Sequence, residues 1–500
     1  MNLATEFLDR KPRGKTAILC GDRSYTYGEM CGMANRAGKG LRALGVRAGD
    51  RVLLLLPDSP EFVAAWFGAL KIGAIAVPTN TSLRPADYAH FLAKSEATIV
   101  LLHSSLYPQI EPVIARATAV VTGDPVDGCV FWDDWIATQS PELDAEPTAD
   151  DDIAFWLWTS GSTGLPKAAP HRHRDWIHCC ESYGRGVLGI GPEDVTFSTA
   201  KLFHAYGLGN GLMFPFFVGA TTALFPGRPQ ARPVLEFAQN IRPTLFFSVP
   251  TLYAAMLHET DAANPYDLSS VRLAVSAAEP LPADLYRRWH ERFGSEILDG
   301  IGSTEVLHIY VSPRPGGVKP GSTGVPVPGY EVRITDEHGA PVERGQVGDM
   351  WVRGASLAVG RADPDGWFFT GDKYFADEDG HYWYAGRSDD MFRVLGEWVS
   401  PIEVEAALIE HPAVLECAVV AYKDENRLSK PKACVVLKDA AAAGDEMASE
   451  LQQFVRQRIA SYKYPRRIEF LDELPKTPTG KIQRYKLRDP DPQPAGGPAQ

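Results

Sequence analysis

The 500-residue chain has few cysteines, no basic excess and no long apolar run. Its seven cysteines, at 20, 31, 129, 179, 180, 417 and 434, form no CxxC pair and have no histidine spacing typical of zinc. An odd number argues against a complete disulfide framework, so reduced, mostly buried thiols in a cytoplasm are expected. Lys and Arg number 50 against 63 Asp and Glu, a net charge of −13. That balance argues against a general nucleic-acid binder or a protein held on anionic lipid by charge, but leaves room for a local basic pocket for a phosphate-bearing ligand. The N-terminal MNLATEFLDRKPRGK has no apolar core of signal-peptide length. The most apolar stretch, Phe62 to Pro78, is broken by Lys71 and two glycines. A membrane span needs roughly 20 apolar residues, so a buried helix running into a strand is expected there.

The remaining composition, 45% apolar and 23% charged, is that of a chain with a large core. Its length predicts two or three domains. Short apolar runs (RVLLLLP, AIAVP, ATIVLLH, TLFFSVP, LAVSAAE) alternate with helical patterns such as EFVAAWFGALKIG and LPADLYRRWHERFG. The alternation predicts an α/β fold: a large N-terminal domain, residues 1–388, of two helix-covered, mainly parallel sheets. Residues 321–388 read as a small antiparallel β subdomain. From 389 to 488 a fresh order of helix, two strands, helix and strand predicts a small α+β C-terminal domain. The tail 489–500, DPDPQPAGGPAQ in its setting, is rich in Pro and Gly and is expected to be disordered.

The sharpest motif is Thr159-Ser160-Gly161-Ser162-Thr163-Gly164-Leu165-Pro166-Lys167. It follows IAFWLW and precedes a helical pattern, which predicts a strand-to-helix loop. Small residues let backbone N–H groups approach an anion, hydroxyls add donors and lysine adds charge. Pro166 and Ala168 stand where a Walker A loop needs glycine and a hydroxyl. Three further motifs complete a constellation: Asp299-Gly-Ile-Gly-Ser-Thr-Glu305, Thr370-Gly-Asp372 with Tyr384-Ala-Gly-Arg387-Ser-Asp-Asp390, and Pro475-Lys-Thr-Pro-Thr-Gly-Lys481. Each alone is an ordinary turn; their order is hard to reach by chance.

Over about residues 20–488 the chain resembles the adenylate-forming superfamily of acyl-CoA synthetases, peptide-synthetase adenylation domains and luciferases. The segments KLFHAYGLGNGLMFP, EILDGIGSTEVLHIY and LPKTPTGKIQR are most similar to benzoate-CoA ligases and related aryl-CoA ligases. The resemblance implies a ligase that joins benzoate or a small substituted benzoate to CoA through an acyl-adenylate, with ATP, Mg²⁺ and coenzyme A required. It implies a mobile C-terminal domain, no nucleic-acid or membrane partner, and leaves a homodimer open.

By matching positions, the resemblance implies that Thr159, Ser160, Gly161, Ser162, Thr163, Gly164 and Lys167 form the phosphate loop. It places Ala278, Glu279, Asp299 and Ile301 at the adenine, Thr304 at the α-phosphate and Glu305 at Mg²⁺. Asp372 would bind the ribose hydroxyls, Arg387 would approach the ribose or phosphate, and Tyr384 belongs to the cofactor-binding set. Lys481 would bridge carboxylate and α-phosphate, Asp389 would be the hinge, and Arg393 would serve the second half-reaction. The acid would meet Ala205, Tyr206, Ala277, Gly300, Ile301, Gly302, His308 and Ile309, with Tyr206 in aromatic contact. Departures from the family pattern are Ala168 and Ala278 for glycines, Ile301 for a tyrosine, Arg393 for a lysine, His204 for an aromatic, and a short Gly354–Trp367 stretch. Alternatives are an aryl-acid adenylation enzyme loading a carrier protein, a nucleotide-binding relative without catalysis, and a long-chain acyl ligase.

Overall fold

Aliphatic runs too short for helices become strands here, and the helical patterns between them cover the sheets. The computed structural model describes residues 1–114, 117–159, 166–260, 266–388, 390–394, 397–424, 428–476 and 482–488, with the backbone alone for Arg393, Glu397 and Trp398. The chain forms two compact units: Met1–Val332 with Val352–Phe368, and Arg333–Trp351 with Phe369–Gln500.

The first unit holds two seven-stranded sheets. One runs in the order Ile297–Asp299, Leu273–Ser276, Leu245–Ser248, Val195–Ser198, Thr221–Leu224, Thr16–Cys20, Arg23–Thr26. The other runs Val130–Phe131, Thr118–Thr122, Ile99–His103, Arg51–Leu55, Ile75–Pro78, Ile153–Thr159, Lys167–Arg172. Within each sheet the pairs are parallel except the last, a hairpin at one edge. This is the expected mainly parallel architecture.

The stretch Phe62–Pro78 is a helix, Pro60–Lys71, leading into a strand, Ile75–Pro78, as expected. Ser59 caps the helix by accepting the Phe62 N–H at 3.3 Å, and Pro60 occupies the first turn, where a missing N–H costs nothing. Every side chain from Phe62 to Leu70 is buried, so both faces of this helix are core. It crosses the helix Tyr27–Ala43 where Gly38 and Gly68 meet: a Cβ on Gly68 would lie 2.9 Å from the Ala34 carbonyl and from the Gly38 nitrogen. Among the described residues no helix is long and apolar enough to cross a membrane. All seven cysteines are free, five of them buried.

One expectation is corrected. The segment after Pro166 is not the start of a helix but a strand, Lys167–Arg172, antiparallel to Ile153–Thr159 and pairing Lys167 with Thr159. The helix His173–Cys179 begins only afterwards. Thr159 and Lys167 therefore face each other on two antiparallel strands at a sheet edge, a place where Pro170 can stand inside a strand.

Strands Tyr330–Thr335, Gly348–Gly354, Phe368–Ala376 and Tyr382–Arg387 make a four-stranded sheet in chain order. In the second unit, Val414–Lys423 pairs antiparallel with Ser429–Leu437, which pairs parallel with Arg467–Phe470. Helices Pro401–Ile409 and Asp445–Arg456 bury Val404, Leu408, Leu451 and Val455 in the core with Val419 and Val435. The order of helix, two strands, helix and strand is the expected one.

Candidate functional site

In the first unit, the ends of several strands carry the motif residues into two neighbouring sets. The first set gathers around the end of the strand Ile153–Thr159. Thr159 ends its strand, and its hydroxyl donates to Glu305 Oε1 at 2.7 Å. The Thr304 carbonyl lies 2.9 Å from Nε2 of His171, whose Nδ1 is 3.2 Å from Asp175 Oδ2; His171 and Asp175 are both buried. The short Gly354–Trp367 stretch lies over the same residues: the Ala358 N–H donates to the Glu305 carbonyl, Val359 N–H to Pro170, and the Arg361 guanidinium to Ala168. Lys167 is exposed. Ser160, Gly161, Ser162, Thr163 and Gly164 lie outside the described residues.

The second set forms where three parallel strands end. Asp299, at the end of Ile297–Asp299, is buried; its Oδ2 accepts the Leu281 N–H at 3.2 Å while Oδ1 has no partner among the described residues. Burial pushes its carboxyl up to about 7. Gly300 donates to the Ser276 carbonyl at 2.9 Å, and Ile301 and Gly302 pair with Val311 and Ile309 across an irregular register. Ala277 is buried, and Glu279 accepts the Thr251 hydroxyl at 2.7 Å. Ala278 has φ 75°, the left-handed region that favours glycine. Leu307, beside His308, also has positive φ, 79°.

His308 is 2% exposed, and neither ring nitrogen has a hydrogen-bond partner among the described residues. The rings of Phe214, Tyr183, Tyr206 and Trp176 surround it at centroid distances of 4.6, 5.4, 5.8 and 6.2 Å. Desolvation pushes its pKa down to about 3, outweighing an opposing contribution from the Tyr206 backbone. The ring is therefore neutral at physiological pH. Tyr206 does more than present an aromatic face: its hydroxyl is 3.2 Å from the Ser248 carbonyl and 3.0 Å from that of Val275. Tyr253 donates to the same Val275 carbonyl at 2.8 Å. Ala205 is buried at the start of the helix Ala205–Leu208.

The second unit holds the remaining residues. Asp372 and Arg387 are register partners on adjacent strands, with Arg387 Nη1 3.2 Å from Asp372 Oδ1 and from the Thr370 carbonyl. Tyr384 packs on Tyr374 at 5.3 Å, and burial raises its pKa. Asp389 and Lys481 lie outside the described residues, as does the side chain of Arg393, whose backbone pairs with Trp398. The chain next to both is anchored: Arg488 Nη2 is 2.6 Å from Asp390 Oδ1, and Arg484 makes a forked bond to half-buried Glu405 at 2.7–3.2 Å. In the hairpin turn Asp377, Asp379 and His381 cluster because the Asp377 carboxylate accepts two turn N–H groups and the Trp383 indole.

Sequence reasoning missed His171, Asp175 and the Glu405–Arg484 pair. The i, i+4 spacing of His171 and Asp175 in HRHRD is a signal for the first two; a pair 79 residues apart offers none.

A sequence model of the AMP-binding enzyme matches residues 5–360, and one of the AMP-binding enzyme C-terminal domain matches residues 403–481. The chain is 46% identical over 490 residues to a benzoate–CoA ligase of Thauera aromatica, covering 95% of this chain and 92% of that protein. It is similar to the crystal structure of an anthranilate CoA ligase in complex with anthranoyl-AMP, with TM-score 0.93, 42% identity and 97% and 96% of the two chains covered. A benzoate CoA ligase from Burkholderia xenovorans matches with TM-score 0.89, 42% identity and 98% and 100% coverage.

Proposed function

The chain belongs to the AMP-binding enzyme family, and from that premise we propose that it is an ATP- and CoA-dependent aryl-carboxylate ligase for benzoate or a small ring-substituted benzoate. The observation that carries this reading is the 46% identity to a benzoate–CoA ligase along nearly the whole chain. The neutral His308 in its shell of aromatic rings supports it, because such a wall suits a flat, uncharged ring.

A carboxylate repels thiolates and lacks a leaving group. Its oxygen first attacks the α-phosphorus of ATP, breaking the bond to pyrophosphate and giving acyl-AMP. The CoA sulfur then bonds to the acyl carbon, and the acyl–oxygen bond breaks to release AMP and the thiol proton. Charge builds at phosphorus in the first step, so the protein's contribution is mainly electrostatic positioning. In this reading Thr159 to Gly164 and Lys167 cradle the phosphates, and Thr304 meets the α-phosphate. Glu305, an oxygen donor already beside the Thr159 hydroxyl, fits a hard divalent cation and would hold Mg²⁺, which when bound offsets triphosphate charge. Ala278, Glu279, Asp299 and Ile301 take the adenine; Asp372, Tyr384 and Arg387 take the ribose. Lys481 supplies the cation at the reacting carboxylate, and Arg393 belongs to the thioester step.

The reading includes a boundary at about residue 388, with Asp389 as a hinge on which residues 389–488 turn to exchange the two half-reactions. It places the enzyme in the cytoplasm, in accord with its free cysteines, and leaves a homodimer to light scattering. Purified protein given benzoate, ATP, Mg²⁺ and CoA should yield AMP and benzoyl-CoA. Acid-dependent pyrophosphate exchange with no thioester formed on CoA would sink the CoA assignment.

A further inference from the structure

The turn that carries the acid-side residues is held by a buried acidic side chain from the other sheet. Asp58 follows the strand Arg51–Leu55 and is 3% exposed. Its Oδ1 accepts the Leu202 N–H at 3.0 Å, and its Oδ2 is 3.5 Å from Lys201 Nζ. Lys201 is pinned in turn by the Phe225 and Gly227 carbonyls, the latter at 2.7 Å. Burial is costly for a carboxylate and raises the Asp58 pKa, while Lys201 and the Leu202 N–H pull it back down.

What Asp58 holds is the turn beneath Ala205 and Tyr206. His204 N–H donates to the Lys201 carbonyl at 3.0 Å, and Leu208 N–H to the His204 carbonyl at 2.8 Å, so the helix Ala205–Leu208 stands directly on residues 201–204. Gly207 packs against the same turn so closely that a Cβ there would lie 2.1 Å from the Lys201 carbonyl. On its far side Tyr206 reaches the Ser248 and Val275 carbonyls. The Lys201–Leu202 backbone and Tyr206 thus belong to one short, closely packed segment bonded at both ends.

We propose that Asp58 is a positioning residue for the aromatic acid, fixing through the Leu202 N–H and Lys201 the turn on which Ala205 and Tyr206 stand. The inference rests on the functional reading above, and it distinguishes Asp58 from a residue that merely stabilises the unit. A positioning role reaches the acid and leaves ATP alone.

The test is steady-state kinetics of the full chain with benzoate and ATP varied separately. Asp58→Ala should raise KM for benzoate about tenfold, the worth of one charge-assisted hydrogen bond, with KM for ATP nearly unchanged. Asp58→Asn keeps an acceptor for the Leu202 N–H but gives up the ion pair, placing an amide NH2 where Oδ2 faced Lys201, so its rise should be the smaller one, about two- to threefold. If Asp58→Ala does not fold, Asp58→Asn decides. A benzoate KM equal to wild type in the variants, parallel rises for benzoate and ATP, or an Asn variant as impaired as Ala would overturn the proposal. Wild-type protein that turned over no aromatic acid would instead overturn the reading on which it rests.

Discussion

Ala278 sits in the left-handed region at φ 75°, where an L-residue with a Cβ is strained. The cost for a non-glycine residue is about 1–2 kcal/mol. Glycine would remove it but lose about 0.5–1 kcal/mol in unfolded-chain entropy. Ala278→Gly should therefore stabilise the first unit by about 0.5–1 kcal/mol. Urea unfolding measures it, and a variant less stable than wild type would show that the strain is relieved elsewhere. At the same scale, the chemistry of Asp299 and His308 depends on burial that no local pattern encodes. The motif DGIGSTEVLHI names both residues, but only the fold surrounds the imidazole with four aromatic rings from residues 176, 183, 206 and 214.

Among elements, the parallel strands and their covering helices were legible because each is a short aliphatic run or a periodic apolar face. The strand Lys167–Arg172 was not: its sequence, KAAPHR, is polar, contains proline and gains its identity from pairing with Ile153–Thr159. Asp58 and Lys201 were equally hidden, since an aspartate after one strand and a lysine after another meet only once both sheets exist. The element-scale prediction concerns the hinge. Asp390 is tied to Arg488, and the Asp390 and Met391 N–H groups both bond the Arg387 carbonyl, a pair of bonds that spans residue 389 and that a rotation at the proposed hinge has to open. Asp389→Pro locks that φ near −65° and should leave one half-reaction at near wild-type rate while suppressing the other. Adenylation is read by pyrophosphate exchange and thioester formation from supplied benzoyl-AMP; both rates unchanged, or both lost together, would move the hinge elsewhere.

At the scale of the whole molecule, the buried imidazole links the acid-side wall to stability. The folded-state pKa of His308 is about 3. In the unfolded chain a histidine titrates near 6.5, so below that pH unfolding takes up a proton that the folded state refuses. The penalty is absent above about pH 6.5, grows as the pH falls, and levels off only near the folded pKa. Asp299, whose folded pKa is about 7, works in the opposite sense: between its unfolded and folded values the native state holds the extra proton, so its contribution weakens as pH rises. His173, pushed down to about 4 by burial, adds to the His308 effect. Overlapping slopes make a total pH profile a poor test, and a difference between two proteins a good one. His308→Phe keeps an aromatic ring in the shell and removes this one proton. At pH 7.5 the two proteins should differ only by packing. Between pH 6 and pH 4 the wild type should lose stability relative to the variant by about 1.4 kcal/mol per pH unit. Urea unfolding of both proteins at pH 7.5, 6 and 5 gives the comparison, with benzoate omitted. A constant offset across that range would mean that His308 takes up its proton in the folded state, and the neutral wall proposed for the aromatic acid would have to be redrawn with a cation in it.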